Sequence, residues 1–306
     1  VILGLHFIFA VIWMNKLDIE NCPLCNGAQI DGILTCKDYY ASGERFGLCR
    51  CRDCGFLFTQ NVPVEAEIGR YYATPDYISH TDGKRTLFEK MYHLVKRKAI
   101  RDKVSLINSY QPLKGRILDI GAGTGDFLLE CKNQNWDILG IEPNDKAKSI
   151  AVGKGIKFGD TIEKLESNSF DVITMWHVLE HVPDVEHQVA ELKRLLKPSG
   201  TIIIAVPNFK SYDAKYYKEF WAAYDVPRHL WHFSKTAIEK LFDKQNMNLE
   251  DIKPMWFDSF YVSLLSEKYK SGKMNFISGF FVGLASNVSG FFKKEFSSHI
   301  YVLKNK

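Results

Sequence analysis

From residue 116 onward, short apolar runs alternate with stretches whose apolar residues recur every three or four positions. Runs near 116–120, 137–141, 156–159, 170–175, 201–206, 248–256 and 298–304 predict seven strands with helices between them. Strands alternating with helices point to an α/β fold on a mostly parallel sheet. Upstream, 85–110 carries a helical period. Leu87, Met91, Leu94 and Lys98-Ala99 share one face, with Lys90, Lys96 and Arg97 away from it, which predicts a linking helix packed on the sheet. Late in the chain, Phe276, Phe280, Leu284, Val288 and Phe292 recur every four residues, with Gly279 and Gly283 among them and no charge until Lys293-Lys294. One membrane span there would leave the last strand across the bilayer from its sheet. The segment 274–292 therefore reads as a greasy helical lid, or as a patch that docks on a membrane or a second subunit.

Length and charge narrow the class. A chain of 306 residues with 46% hydrophobic content has room for one full α/β domain and a smaller module. Its 40 basic and 36 acidic residues leave a net +4, too small an excess to mark a nucleic-acid binder. Residues 1–13 are nearly all apolar, lack a basic start and an A-x-A cleavage site, and are too short to span a bilayer. They read as a non-native translation product of the upstream reading frame before a natural start at Met14, with a membrane-touching anchor as the alternative.

Four of the seven cysteines form two C-x-x-C pairs, Cys22-Pro23-Leu24-Cys25 and Cys51-Arg52-Asp53-Cys54. Two such knuckles make a closed tetrahedral thiolate site, so Cys22, Cys25, Cys51 and Cys54 are the expected ligands of a structural Zn²⁺ in a ribbon over 14–62. A closed site has no open position for chemistry. Metal in place of disulfides implies a reducing, cytoplasmic setting. Cys36 and Cys49 lie inside the loop as spares.

The remaining chemistry gathers around Leu118-Asp119-Ile120-Gly121-Ala122-Gly123-Thr124-Gly125-Asp126, an apolar run, three alternating glycines and the start of a helix. Glycines there let the backbone turn and approach a ligand, and the helix offers free N–H groups. A dinucleotide fingerprint would set its third glycine one residue later. Glu142, ending the next apolar run, suits the hydroxyls of a ribose in either case. The order Asp-x-Gly-x-Gly-x-Gly resembles motif I of the class I S-adenosylmethionine-dependent methyltransferases. Gly159-Asp160, the stretch Ser169 onward through His177-Val178-Leu179-Glu180-His181, and Leu192-Lys193-Arg194-Leu195-Leu196-Lys197-Pro198-Ser199-Gly200 look like that family's later motifs, in order. The resemblance covers about residues 84–306.

It implies a seven-stranded Rossmann-like sheet in the order 3-2-1-4-5-7-6, the last strand antiparallel, over 113–306, with 63–112 as a linking or cap segment and 257–297 as a helical insert. S-adenosylmethionine is the implied cofactor. Gly121, Ala122, Gly123 and Gly125 would hold its amino-acid part, with Asp119 organising the loop or binding the amino group, Glu142 would take its ribose, and Asp160 its adenine amino group unless Asp160 caps the next helix. His177-Val178-Leu179-Glu180-His181 also matches the inverted zinc-protease signature, but Pro183 stops a long helix through it. It is more similar to the E-x-x-E-H sequence of ubiquinone-pathway O-methyltransferases, with His177 in place of the first glutamate, a departure that leaves a divalent-metal site without support. His181 is the candidate general base, or else holds the loop, and His177 is cofactor-adjacent or structural. In the loop after strand five, Arg228 can grip an acidic group and His229 can hydrogen-bond it, Arg228 alternatively pairing Asp225. Tyr71-Tyr72-Ala73-Thr74-Pro75-Asp76-Tyr77 could cap the cofactor or cover a junction. The reading is of a bacterial, zinc-ribbon-bearing methyltransferase acting on a small-molecule, glycan or lipid-linked acceptor. A zinc-ribbon RNA methyltransferase and a non-catalytic cofactor-binding scaffold are the alternatives.

Overall fold

The computed structural model describes residues 16–72 and 87–306. The leader over 1–13 and the later part of the tyrosine cluster lie outside the described residues. In chain order the strands are β1 (Lys16–Leu17), β2 (Ile30–Lys37), β3 (Arg45–Cys51), β4 (Leu57–Gln60), β5 (Val62–Pro63), β6 (Arg116–Ile120), β7 (Asp137–Ile141), β8 (Phe170–Trp176), β9 (Leu196–Pro207), β10 (Trp231–His232), β11 (Met247–Pro254) and β12 (Ser298–Asn305). The helices are α1 (Glu65–Ile68), α2 (Leu87–Tyr110), α3 (Asp126–Asn133), α4 (Asp145–Gly153), α5 (Val185–Leu195), α6 (Tyr212–Tyr217), α7 (Lys235–Asp243), α8 (Asp258–Ser271) and α9 (Phe276–Lys293).

Two compact units result, neither continuous in sequence. Among the described residues, one takes 87–206, 238–257 and 298–306, and the other takes 16–72, 207–237 and 258–297. The boundary does not follow the 14–62 and 113–306 division expected from the sequence.

The first unit is the α/β sheet, six strands in the order β11-β12-β9-β8-β6-β7, with β6 parallel to β7 and β8, β8 parallel to β9, and β11 antiparallel to β12. The expected third strand over 156–159 shrinks to one parallel bridge, Gly140 to Phe158. It lies between the left-handed turn at Gly155 and exposed Asp160, and its backbone bonds to β7 are the two made by Gly140 with Lys157 O and Gly159 N–H. The core packs Ile117, Val172 and Ile203 of the sheet against Phe127 and Leu128 of α3 and Val104 and Ile107 of α2. So α2 does pack on the sheet, but through a different stripe. Leu94 is exposed, because the buried contacts fall in the second half of the helix.

The second unit joins the ribbon to pieces over 150 residues away. Its antiparallel sheet, β10-β4-β3-β2, takes its edge strand from Trp231 and His232 paired with Phe58 and Leu57. Phe46, Leu48 and Leu57 share one buried cluster with Tyr217, Trp221, Tyr224, Val226 and Val282. The ribbon thus has a hydrophobic core as well as its cysteines. The insert is a hairpin of α8 and α9. Gly279 and Gly283 bring α9 onto α8, where an added Cβ would lie 3.0 Å from Leu264 Cα and 2.9 Å from Phe260 Cα.

Candidate functional site

At the carboxyl end of β6 the chain cannot run on as strand, and the three glycines make the turn into α3. Gly121, Gly123 and Gly125 have φ of 74°, 53° and 76°, a region costly for any residue with a Cβ. The N–H groups of Gly121 and Ala122 both bond to Ile141 O, at 2.8 and 3.1 Å, and tie the turn to the end of β7. Asp126, in the first turn of α3, is held by Lys96 from α2 at 2.6 Å and by Lys154 at 2.5 Å. An added Cβ would meet Val178 at Gly121 and Ala151 and Ile156 at Gly125, whereas at Gly123 it would meet nothing within 4 Å. The loop is packed on both flanks and open at its middle.

Glu142 faces this opening with its carboxylate already oriented. Oε2 accepts from the Gly123 N–H at 2.7 Å and Oε1 from the Asn144 N–H at 2.8 Å. Each oxygen keeps a lone pair for a further donor. Asp119, 2% exposed, accepts from Thr174 Oγ1 at 2.6 Å. Burial pushes its carboxyl up to about 7, the nearby Glu142 adding to the effect against the Thr174 bond and the charge of Lys103. Lys103 also stands 4.2 Å from the centroid of the Trp176 ring, at the end of β8. The indole Nε1 of Trp176 is buried with no acceptor among the described residues. An open glycine turn, an oriented carboxylate and an orphaned indole N–H fit a polar, nucleoside-bearing ligand.

The turn after β8 abuts the glycine loop through Val178. His177 has a left-handed φ of 58°, donates its N–H to Ala205 O at 2.9 Å, and sets Nδ1 3.4 Å from Glu180 Oε1. His181 ends a 3₁₀ turn, half-buried, its N–H bonded to Val178 O. The capping alternative for Asp160 does not hold. Its side chain is 73% exposed and paired with Lys164, and Thr161, not Asp160, stands at the start of the next helical turn.

Arg228 and His229 belong to the ribbon-bearing unit, and there the expected acceptor grip gives way to an internal role. Arg228 is 3% exposed. Its guanidinium donates to Asp225 at 2.9 and 2.6 Å, to Tyr71 O at 2.9 Å and to Asp38 at 3.0 Å, and lies over the Tyr40 ring. Burial opposes ionisation of Asp38, but bonds from Ser42 and Arg228 outweigh it and hold the carboxyl below its ordinary value. The Nδ1 of His229 is bonded to Ala223 O at 2.9 Å. Arg228 braces the loop, as the Asp225 pairing alternative had it, and His229 is tied to the same loop's backbone.

In the same unit the four knuckle sulfurs lie within 4.8 Å of one another, with Cys22 to Cys54 at 3.5 Å and Cys25 to Cys51 at 3.6 Å. A tetrahedron with Zn–S bonds of about 2.3 Å has edges near 3.8 Å, so the set fits zinc. Cys36, one of the two spares, is buried among apolar residues, its thiol pushed up to about 12 by burial.

The site residues missed in the sequence are Lys103 and Trp176. Lys103 sits on α2 without any local motif, and only the packing of α2 on the sheet brings it to the site.

The family described as "Methyltransferase domain" matches residues 91–252. Curated relatives include ubiquinone biosynthesis O-methyltransferases from Paraburkholderia phymatum, 32% identical over 36% of this chain and 53% of the relative, and Sinorhizobium medicae, 30% identical over 47% and 64%. The chain spans about half to two thirds of the length of these relatives. Among solved structures, magnesium protoporphyrin IX methyltransferase from Synechocystis, with bound S-adenosylhomocysteine, matches 79% of this chain and all of its own. Its TM-score is 0.53 at 13% identity, a likeness of fold.

Proposed function

Because this chain belongs to the class I S-adenosylmethionine-dependent methyltransferase family, we propose that it transfers a methyl group to the hydroxyl of a small, apolar or lipid-carried acceptor. The observation that carries the cofactor half is the open centre of the glycine turn at Gly123, faced by an oriented Glu142. Bound there, S-adenosylmethionine supplies an electrophilic methyl on a sulfonium. Glu142 would accept from the ribose hydroxyls, Asp119 would lie beside the loop that takes the amino-acid part, and the Trp176 N–H would meet an acceptor. Asp160 remains the proposed partner of the adenine amino group, after release from Lys164. Alignment is the main catalytic contribution, and His181, half-buried on the turn next to the loop, is the proposed base for the acceptor hydroxyl. The relatives' ubiquinone-pathway names support an apolar, hydroxylated acceptor.

The acceptor's lipid character rests on α9, whose amphipathicity is inverted. Apart from Val282, its buried side is small or polar, with Gly279, Gly283, Ser286, Asn287 and Gly290. Phe276, Ile277, Phe280, Phe281, Val288, Phe291 and Phe292 are 51–77% exposed. A helix in water turns such residues inward, so this face suits an apolar surface. Lys268, Lys270 and Lys273 lie before it and Lys293 and Lys294 after it, matching an anionic headgroup layer. No helix among the described residues is long and apolar enough to cross a membrane.

Isothermal titration with S-adenosylmethionine and S-adenosylhomocysteine on wild type and Gly123→Asp tests the cofactor half, with binding expected in the first protein alone. A folded, zinc-loaded protein that binds neither overturns it. Radiolabelled methyl transfer over lipid, glycan and RNA fractions then tests the acceptor, label in the lipid fraction being expected. Co-sedimentation with anionic vesicles should fall in Phe280→Glu/Phe281→Glu, and equal binding removes the membrane contact.

A further inference from the structure

The net charge of the chain is +4, yet the ribbon-bearing unit places four unopposed cations around one cleft. The cleft is about 580 Å³, within the range that holds small ligands. Arg50 enters it from β3, Lys210 from the loop after β9, Lys215 from α6, and Lys218 from the residue that follows α6. Phe209 and Tyr224 contribute aromatic walls, and the Arg50 guanidinium stands 6.0 Å from the Phe209 ring centroid. No acidic side chain is among the described residues that line the cleft, and none of the four cations is ion-paired there. All four are exposed at the cleft, so an anion entering it would meet a positive field from every one of them.

Lys218 carries a second signature. Its φ of 51° and ψ of −125° lie where glycine is at ease and lysine is not. A strained backbone at a ligand-facing side chain is a common mark of a binding site. Here the strain keeps an ammonium at the cleft where a glycine would relieve the chain but remove the charge.

We propose that this cleft binds a small molecule bearing a diphosphate-like cluster of negative charge, with the phosphoryl oxygens on Lys210, Lys215, Lys218 and Arg50 and an attached apolar or ring group against Phe209. Lysines act as point charges for phosphate, and arginine can grip it with two N–H groups. A soluble nucleotide and a lipid diphosphate share this chemistry. The inference uses neither the glycine loop nor the methyl-transfer reading.

The test is isothermal titration of the full chain with inorganic pyrophosphate, with uridine diphosphate, and with vesicles carrying farnesyl diphosphate beside matched vesicles without it. Lys215→Glu/Lys218→Glu should weaken pyrophosphate binding by at least about tenfold. The charge-matched pair Lys157→Glu/Lys240→Glu, on exposed residues of the other unit, should leave it unchanged. S-adenosylhomocysteine binding should be the same in all of them, which separates this site from the cofactor loop. Tighter binding of uridine diphosphate than pyrophosphate identifies a soluble ligand, and tighter binding of the farnesyl vesicles a lipid one. Lys218→Gly covers the case in which the double variant does not fold. Relief of the strained φ should raise its urea midpoint while its pyrophosphate affinity falls. A folded wild type that ignores all three probes, an equal loss in the control pair, an unchanged affinity in Lys218→Gly, or displacement of pyrophosphate by an RNA oligonucleotide at far lower concentration overturns the proposal.

Discussion

Two glycines two residues apart should fail for different reasons when each gains a single methyl group. At Gly123, φ is 53° and an added Cβ meets no heavy atom within 4 Å. Gly123→Ala therefore loses only the left-handed backbone preference, about 1–2 kcal/mol. At Gly125, φ is 76° and the Cβ would lie 2.8 Å from Ala151 Cβ and 2.9 Å from Ile156 Cγ1, both in residues buried in the sheet's core. Overpacking there adds about 1–3 kcal/mol, so Gly125→Ala should lose about 2–5 kcal/mol in all. Ligand affinity should run the other way. The methyl of Gly123→Ala occupies the space a cofactor must enter and should raise the Kd for S-adenosylhomocysteine by at least about tenfold, a loss of 1.4 kcal/mol or more in binding. Urea unfolding read by circular dichroism gives the stabilities, and isothermal titration at a temperature where all three proteins are folded gives the affinities. If Gly123→Ala binds like wild type, the opening is not the cofactor's. If Gly125→Ala is as stable as Gly123→Ala, the packing argument is wrong.

Arg228→Met should destabilise the chain by about 3–5 kcal/mol in urea unfolding, because it leaves Asp38 buried without its counter-ion and Tyr71 O without its donor. Unchanged stability with a raised acceptor KM would restore the acceptor-gripping role instead. Asp119 ionises near 7 when folded but near the ordinary 3.8 when unfolded. Between those values the folded state binds the extra proton, so its contribution is full below about pH 4 and is lost as pH rises toward 7, by up to roughly 4 kcal/mol. Asp119→Asn should flatten that slope in unfolding midpoints from pH 5 to 8, and an identical slope in the variant refutes it. Elemental analysis should find one zinc per chain, and Cys54→Ala should abolish it with a stability loss on the order of 5 kcal/mol. Full zinc occupancy in that variant would assign the ligands elsewhere.

What the sequence by itself determined were the features written in neighbouring residues. Short apolar runs alternating with stretches of helical period gave the order of strands and helices, the run at 156–159 excepted. Paired C-x-x-C knuckles named the four sulfurs that the fold gathers within 4.8 Å. The spacing of Asp119, Gly121, Gly123 and Gly125 gave the turn, and Glu142 fell at the end of the next strand, facing it. These are local because hydrogen-bond geometry and φ limits act over a few residues. Tertiary structure decided what depends on chain closure. Arg228 read equally well as an anion grip until Asp38, 190 residues earlier, was found against it. The stripe on α2 was chosen by the sheet it meets, which buried Val104 and Ile107 and left Leu94 in water. The repeat along α9 announced a helix, but not that its glycines would take the inner side and its phenylalanines the outer. A balanced composition hid four cations from separate segments, and only folding sets them around one cleft. Side-chain partners across such separations are fixed by the free energy of the whole packed chain, which no window of sequence contains.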